Sequence, residues 1–234
     1  MRKELKDVVK SLKNYMNMEE ASGMTETSLK GLVAPSKSVG TQATQGEAIY
    51  EDKTSILTQL DEEVKICKDC DLCSTRRNTV FGEGNINASL VFVGEAPGME
   101  EDIQGRPFVG AAGQLLNKMI QAIGLKREDV YIANCLKCRP PKNRTPLPSE
   151  LIACRNHLTQ QINTIKPSII CCLGRPASQN LLMSELSIGK LRGKFYDYNG
   201  IKLMPTFHPA YLLRTPADKR LAWEDFKKIR DALA

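Results

Sequence analysis

Ala88-Ser89-Leu90-Val91-Phe92-Val93-Gly94 is the stretch on which the reading of the fold turns. It is short, apolar and β-branched, shows no alternation of polar residues, and stops at a glycine. It therefore reads as a strand covered on both faces. Ser168-Ile169-Ile170-Cys171-Cys172-Leu173 repeats the pattern and stops at Gly174, Val130-Tyr131-Ile132-Ala133 forms another strand, and a fourth ends near Phe207. Helical stripes lie between them. Leu115, Leu116, Met119, Ile120 and Ile123 recur at helical spacing, residues 148–165 give a second long helix, and Ile56, Leu57, Leu60 and Val64 mark a helix that leads into Cys67. Strands alternating with helices imply an α/β protein: three αβα layers around a central, mostly parallel four-stranded sheet. Ligand sites in such sheets gather at the carboxyl ends of the strands.

Outward from this core the organisation is uneven. Residues 1–20 place Leu5, Val8, Val9, Leu12, Tyr15 and Met16 at helical spacing and read as a short amphipathic helix. Residues 21–54 form a linker, rich up to about residue 47 in Ser, Thr, Gly and Gln, with too few large apolar residues to order itself. The compact domain is expected over 55–234.

The chain has 234 residues, 41% of them apolar, enough to bury a substantial core. It contains no apolar run long enough for a membrane span, and its start, Met1-Arg2-Lys3-Glu4-Leu5, leads into charged residues and not into an export signal. A cytoplasmic location without membrane association is the expectation. Eight cysteines in that reducing compartment point to metal binding or buried packing in preference to disulfides. Residues 1–60 hold eight Lys/Arg against eight Asp/Glu, and residues 61–234 hold 25 against 19, so the net charge of +6 belongs to the second segment. A net positive domain suits a polyanion such as nucleic acid.

Chemically distinctive residues follow each strand. Gly94-Glu95-Ala96-Pro97-Gly98, Glu100-Glu101-Asp102 and Gly105-Arg106-Pro107-Phe108-Val109-Gly110 follow the first strand, and Asn134 follows the second. The fourth leads to His208-Pro209-Ala210-Tyr211-Leu212-Leu213-Arg214. Together with Lys137-Cys138-Arg139-Pro140-Pro141, this set resembles the family-four uracil-DNA glycosylases, the iron-sulfur class of the uracil glycosylase superfamily. The resemblance runs from about Leu60 to the C-terminal helix and covers nothing in residues 1–47.

The resemblance implies hydrolysis of the bond between uracil and its sugar during base excision repair of single- or double-stranded DNA, by a monomer. A glycosylase extrudes its base into a pocket read by stacking and edge hydrogen bonds. Gly94 and Ala96 then belong to the base pocket, Phe108 is the stacking platform, and Asn134 reads the edge, its NH2 donating to O4 and its carbonyl accepting from N3–H. His208 stands against O2, where charge develops as the bond breaks. The water-orienting group stays open between Glu95 and Asn143, because Ala96 occupies the place of the aspartate of better-known uracil glycosylases; Glu101 or Asp102 orders the loop. Lys137, Arg139, Lys142 and Arg144 form a basic run suited to phosphates. Leu212, Leu213 and Arg214 read either as a wedge into the minor groove or, for the leucines, as core residues starting a helix. His157 matches no motif and reads as a surface or packing residue.

Cysteine spacing alone is ambiguous. Cys67, Cys70 and Cys73 are spaced C-x2-C-x2-C and Cys135 pairs with Cys138, which leaves a zinc site conceivable, although the gap is long for a zinc ribbon. The resemblance selects Cys67, Cys70, Cys138 and Cys154 as ligands of a structural four-iron four-sulfur cluster. Cys171 and Cys172 read as buried packing; Cys73 and Cys135 stay unassigned. The competing class is a noncatalytic iron-sulfur protein that binds nucleic acid. A relative that traps uracil covalently is the other alternative, but the basic loop marking that subgroup is replaced here by Leu203-Met204-Pro205-Thr206-Phe207. The helix over residues 1–20 is a candidate docking segment for a replication clamp or repair partner.

Overall fold

Residues 52–234 are described by the computed structural model. The helix and linker expected before them lie outside the described residues, apart from the linker's last three. Asp52 caps helix α1 (Lys53–Ile66), its carboxylate accepting from the Thr54 amide at 3.3 Å, so the helix starts slightly ahead of residue 55. Strand β1 (Glu83–Gly84) precedes β2 (Leu90–Gly94), followed by α2 (Met99–Gln104), α3 (Ala111–Ala122), β3 (Tyr131–Asn134) and α4 (Pro148–Ile165). Then come β4 (Ile169–Leu173), α5 (Arg175–Leu182), α6 (Ile188–Leu191), β5 (Tyr196–Tyr198), β6 (Ile201–Thr206), α7 (Pro209–Arg214) and α8 (Lys219–Leu233).

The strands form one sheet in the order β1-β3-β2-β4-β6-β5. Its four inner strands, β3, β2, β4 and β6, run parallel, while β1 and β5 pair antiparallel at the edges. The expectation of four strands is thereby corrected to a mixed sheet of six. Both added strands are short and partly exposed, so neither carries the apolar run that marked the others. The β5–β6 hairpin did have a signal: Asn199 and Gly200 both take positive φ, as a tight two-residue turn demands.

The continuous apolar runs are explained by cover on both faces. Val91 and Val93 of β2, Ile170 and Cys172 of β4 and Leu203 of β6 pack with Leu57 and Leu60 of α1, Leu158 and Ile162 of α4, and Ala177 of α5. The alternate residues Leu90, Phe92, Ile169, Cys171 and Met204 pack on the other face with Leu116 and Ile120 of α3 and Phe226 and Ile229 of α8. This is the expected three-layer order. Among the described residues no helix is long and apolar enough to cross a membrane.

One buried polar knot fixes the exit of β6. The Thr206 hydroxyl donates to Asp225 of α8 at 2.7 Å, and Arg192 donates to the same carboxylate at 2.5 and 3.0 Å and to the Leu221 carbonyl. Asp225 is fully buried, and removal of one partner from a buried pair leaves the other charge uncompensated. Asp225→Ala is therefore expected to lower the unfolding free energy by about 3 kcal/mol or more in urea denaturation, whereas a loss under about 1 kcal/mol would contradict the role given to this knot.

Candidate active site

A cleft of about 470 Å³ opens where β2, β3 and β6 end, lined by Glu95, Ala96, Phe108, Asn134, Asn143, His208 and Arg214 among others. Gly94, the last residue of β2, lies in register with Asn134. A Cβ at Gly94 would stand 2.3 Å from Asn134 Oδ1 and 2.6 Å from Phe108 Cζ, so only glycine lets both side chains converge there.

Phe108 takes φ +50°, a left-handed conformation that costs a non-glycine residue roughly 1–3 kcal/mol unless its surroundings impose it. Those surroundings are specific. Arg127 donates to the carbonyls of Pro107 (2.5 Å) and Phe108 (3.3 Å), and is itself held by Glu83 (2.6 and 2.9 Å) and Asn117 (2.9 Å). Glu101 accepts from the amides of Val109 and Gly110, both at 3.0 Å. The Phe108 ring lies 5.6 Å from the His208 ring at an interplanar angle of 30°.

Asn134 is buried, and its Oδ1 has no hydrogen-bond partner among the described residues. A buried acceptor left unpaired costs about 1–3 kcal/mol, and such groups are rare unless a ligand completes them. His208 caps α7, its Nδ1 accepting from the Ala210 amide at 3.1 Å. That acceptor role leaves the proton of a neutral ring on Nε2. Burial, helped by the charge of Arg214, lowers the His208 pKa to about 4, so the ring is neutral near pH 7. Burial raises the Glu95 carboxyl above its ordinary range, with the Arg175 charge opposing in part.

The remaining candidates divide. Glu101 lines the cleft but holds the Phe108 loop, and Asp102 is buried, accepting from the amides of Arg77 (2.9 Å) and Asn78 (3.3 Å); both order loops. Asn143 reaches the cleft with its side-chain oxygen taken by Arg139 Nε at 2.7 Å. Lys142 is exposed, whereas Arg144 is engaged by Glu150 at 2.5 and 2.9 Å. Lys137 leaves the basic run altogether: it is 1% exposed, with Nζ donating to the Asn134 carbonyl (3.0 Å) and Gln161 Oε1 (2.5 Å), and cannot reach a phosphate. Leu212 is 1% exposed and packs with Phe207 and Ala222, which excludes it as a wedge; Leu213 is 44% exposed and Arg214 lines the cleft.

Behind the cleft, Cys67, Cys70, Cys73, Cys138 and Cys154 surround one small cavity together with Arg76, Lys137 and His157. None of these thiols is in a disulfide. Arg76 donates to Cys138 Sγ at 3.1 Å and to the Lys65 and Cys67 carbonyls at 3.0 Å, and the Lys137 amide donates to Cys154 Sγ at 3.4 Å. Convergent sulfurs that receive N–H donors from charged and main-chain groups suit a thiolate-ligated metal group. Cys135 belongs to the main core instead, where burial pushes its pKa up to about 12. His157 was the residue the sequence undervalued. Its ring nitrogens are shielded and without partners among the described residues, and one of them lies within 4.8 Å of Cys67 Sγ and an Asp69 carboxylate oxygen. The signal was its i, i+3 spacing from Cys154, which puts both on one face of α4.

Comparison with known proteins identifies the family. The profile of the uracil DNA glycosylase superfamily matches residues 81–227. A type-4 uracil-DNA glycosylase of Saccharolobus solfataricus is 49% identical over 187 residues, covering 76% of this chain and 87% of the relative. Those of Archaeoglobus fulgidus (47% over 181 residues, 74% and 91% covered) and Thermotoga maritima (46% over 182 residues, 76% and 95% covered) are similar to the same extent. With Phe108, Asn134 and His208 converging at the strand ends and a cysteine site behind them, the chain belongs to the uracil DNA glycosylase superfamily, alongside its type-4 members.

Proposed function

We propose that this protein is a monofunctional uracil-DNA glycosylase of base excision repair, which flips uracil into the cleft and hydrolyses its N-glycosidic bond to leave an abasic site. The observation that carries the reading is the partnerless, buried Asn134 Oδ1 facing a cleft walled by Phe108 and His208. In this reading the flipped base stacks on Phe108, worth about 1–3 kcal/mol for a base on an aromatic ring. Asn134 accepts from uracil N3–H and donates to O4. As the bond from C1′ to N1 lengthens, electrons pass to the base, and the Nε2–H of neutral His208 donates to O2, where the charge accumulates. Water then adds to C1′ through its oxygen and passes a proton to Glu95, and that proton is finally taken up by the departing uracil anion, so that neutral uracil and an abasic sugar are released. Glu95 is the group assigned to orient the water, because the Asn143 oxygen is occupied by Arg139.

Gly94 and Ala96 keep the base wall thin. Arg139, Lys142 and Arg214 supply phosphate contacts, with Arg144 secondary because Glu150 holds it. Leu213 is the wedge that fills the gap left by the base. Cys67, Cys70, Cys138 and Cys154 hold a four-iron four-sulfur cluster, which supplies a rigid cross-link between the end of α1, the loop after β3 and α4, and takes no part in proton transfer. A cytoplasmic location fits eight cysteines that are all free. The residues assigned roles here all belong to one chain, and a monomer is the form proposed.

Serine at Cys67, Cys70, Cys138 or Cys154 is expected to reduce the iron and acid-labile sulfide of anaerobically purified protein, and serine at Cys172 to leave both unchanged. A protein holding zinc and no iron would contradict the assignment.

His208→Ala is expected to slow single-turnover excision by about 10²–10³ while DNA affinity changes little; equal loss of both would make the residue structural. With its folded pKa about 4, below the ordinary 6.5, His208 is neutral across the range where a free histidine titrates. Its contribution to the rate should be level from about pH 8 to about pH 5, and a step near 6.5 that disappears in the His208→Ala variant would contradict the neutral donor. The sign for stability follows: the unfolded chain takes up this proton first, so this residue's share of stability falls as pH drops from 6.5 towards 4.

Asn134→Asp is expected to slow uracil release by at least about a hundredfold, because a carboxylate repels O4 and two buried polar groups lose their pairing at about 1–3 kcal/mol each. Weak release of cytosine is expected in return. Parental rates on a uracil-containing oligonucleotide would remove Asn134 from recognition.

A further inference from the structure

Asn134 poses a problem of orientation. A side-chain amide that is free to turn accepts the edge of uracil or of cytosine equally, so specificity requires that it be fixed. Yet Oδ1 has no partner among the described residues that would fix it. The place from which the amide projects is set by the main chain, which is paired with Gly94 across β2 and β3 and is reached by one buried side chain. Lys137 folds back beneath the end of β3 and donates from Nζ to the Asn134 carbonyl at 3.0 Å and to Gln161 Oε1 at 2.5 Å. Gln161 is anchored in turn by donating to the Phe81 carbonyl (2.9 Å) and the Tyr131 hydroxyl (3.2 Å). An ammonium buried to this depth is unfavourable unless its partners are needed in place, and an apolar residue of similar length would fill the same space. The same residue also faces the cysteine site, where its main-chain N–H donates to Cys154 Sγ at 3.4 Å.

We propose that Lys137 is a positioning residue for base recognition, its ammonium holding the Asn134 main chain while its amide is tied to the Cys154 sulfur, so that the uracil-reading group and the cysteine site are set by one residue. The proposal rests on the reading of Asn134 as the group that recognises uracil. It also gives the cysteine site a purpose beyond general stability, since the loop from Asn134 to Cys138 is pinned at both ends.

The test uses the full chain with its cluster, and the probe is free uracil acting as a competitive inhibitor of excision. Lys137→Met removes the ammonium but keeps the amide on Cys154. Iron and sulfide content are expected to stay at parental values, while inhibition by free uracil weakens and single-turnover excision slows by about tenfold to a hundredfold, as small misplacements of a positioning group do. A cluster-loaded variant with parental inhibition and rate would overturn the proposal. Should Lys137→Met fail to fold with its cluster, Gln161→Glu carries the test, because a carboxylate there draws the ammonium away from the Asn134 carbonyl without removing it. Inhibition should again weaken with iron content intact, and parental inhibition would again overturn the proposal. Asn134→Ala separates the two levels. If it leaves inhibition by uracil unchanged, the base-reading role itself fails; if it weakens inhibition while Lys137→Met does not, only the role of Lys137 fails.

Discussion

The missing side chain at Gly94 is the constraint on which the site depends. β2 lies in the middle of the sheet, and its last residue is paired with Asn134 on the neighbouring strand. Because no Cβ projects there, Asn134 Oδ1 and the Phe108 ring both come within a distance that any other residue would occupy. The remaining devices serve that convergence. Arg127 and Glu101 hold Phe108 in a backbone conformation it would not choose, and the knot of Thr206, Asp225 and Arg192 fixes the strand from which His208 emerges.

Electrostatics separates Phe108, Asn134 and His208, none of them charged near pH 7, from neighbours whose charges are committed to one another. His208 is held neutral by burial and by the charge of Arg214, and burial raises the Glu95 carboxyl above its ordinary range. Glu83, Arg127, Arg144 and Glu150 are occupied by one another or by main-chain groups. In the function proposed here, the free donor and acceptor groups of the cleft serve a neutral base, and the exposed Lys142 and Arg214 serve the backbone of DNA.

The inner sheet was legible in the sequence because burial on both faces leaves a continuous apolar run, and the long helices were legible from their stripes. The edge strands were not, since two or three partly exposed residues carry no periodic signal; only the Asn199-Gly200 turn announced the last hairpin. Residues after each strand drew attention to the site, as Phe108, Asn134 and His208 did. Burial was harder to read. Lys137 sits in a basic run and Leu212 beside an exposed leucine, and sequence spacing cannot show that one points beneath the sheet and the other into the core. Cys73 was left open for the same reason: its spacing fits the cavity it lines, but Cys135, equally well spaced, turns into the main core.

The measurement that bears most directly on the whole account is the product formed when the purified protein meets an oligonucleotide carrying a single uracil, set beside the same oligonucleotide carrying cytosine. Free uracil and an abasic site, with no protein–DNA cross-link and no release of cytosine, are the expected result. Binding without release of a base, or a covalent adduct through His208, would contradict it.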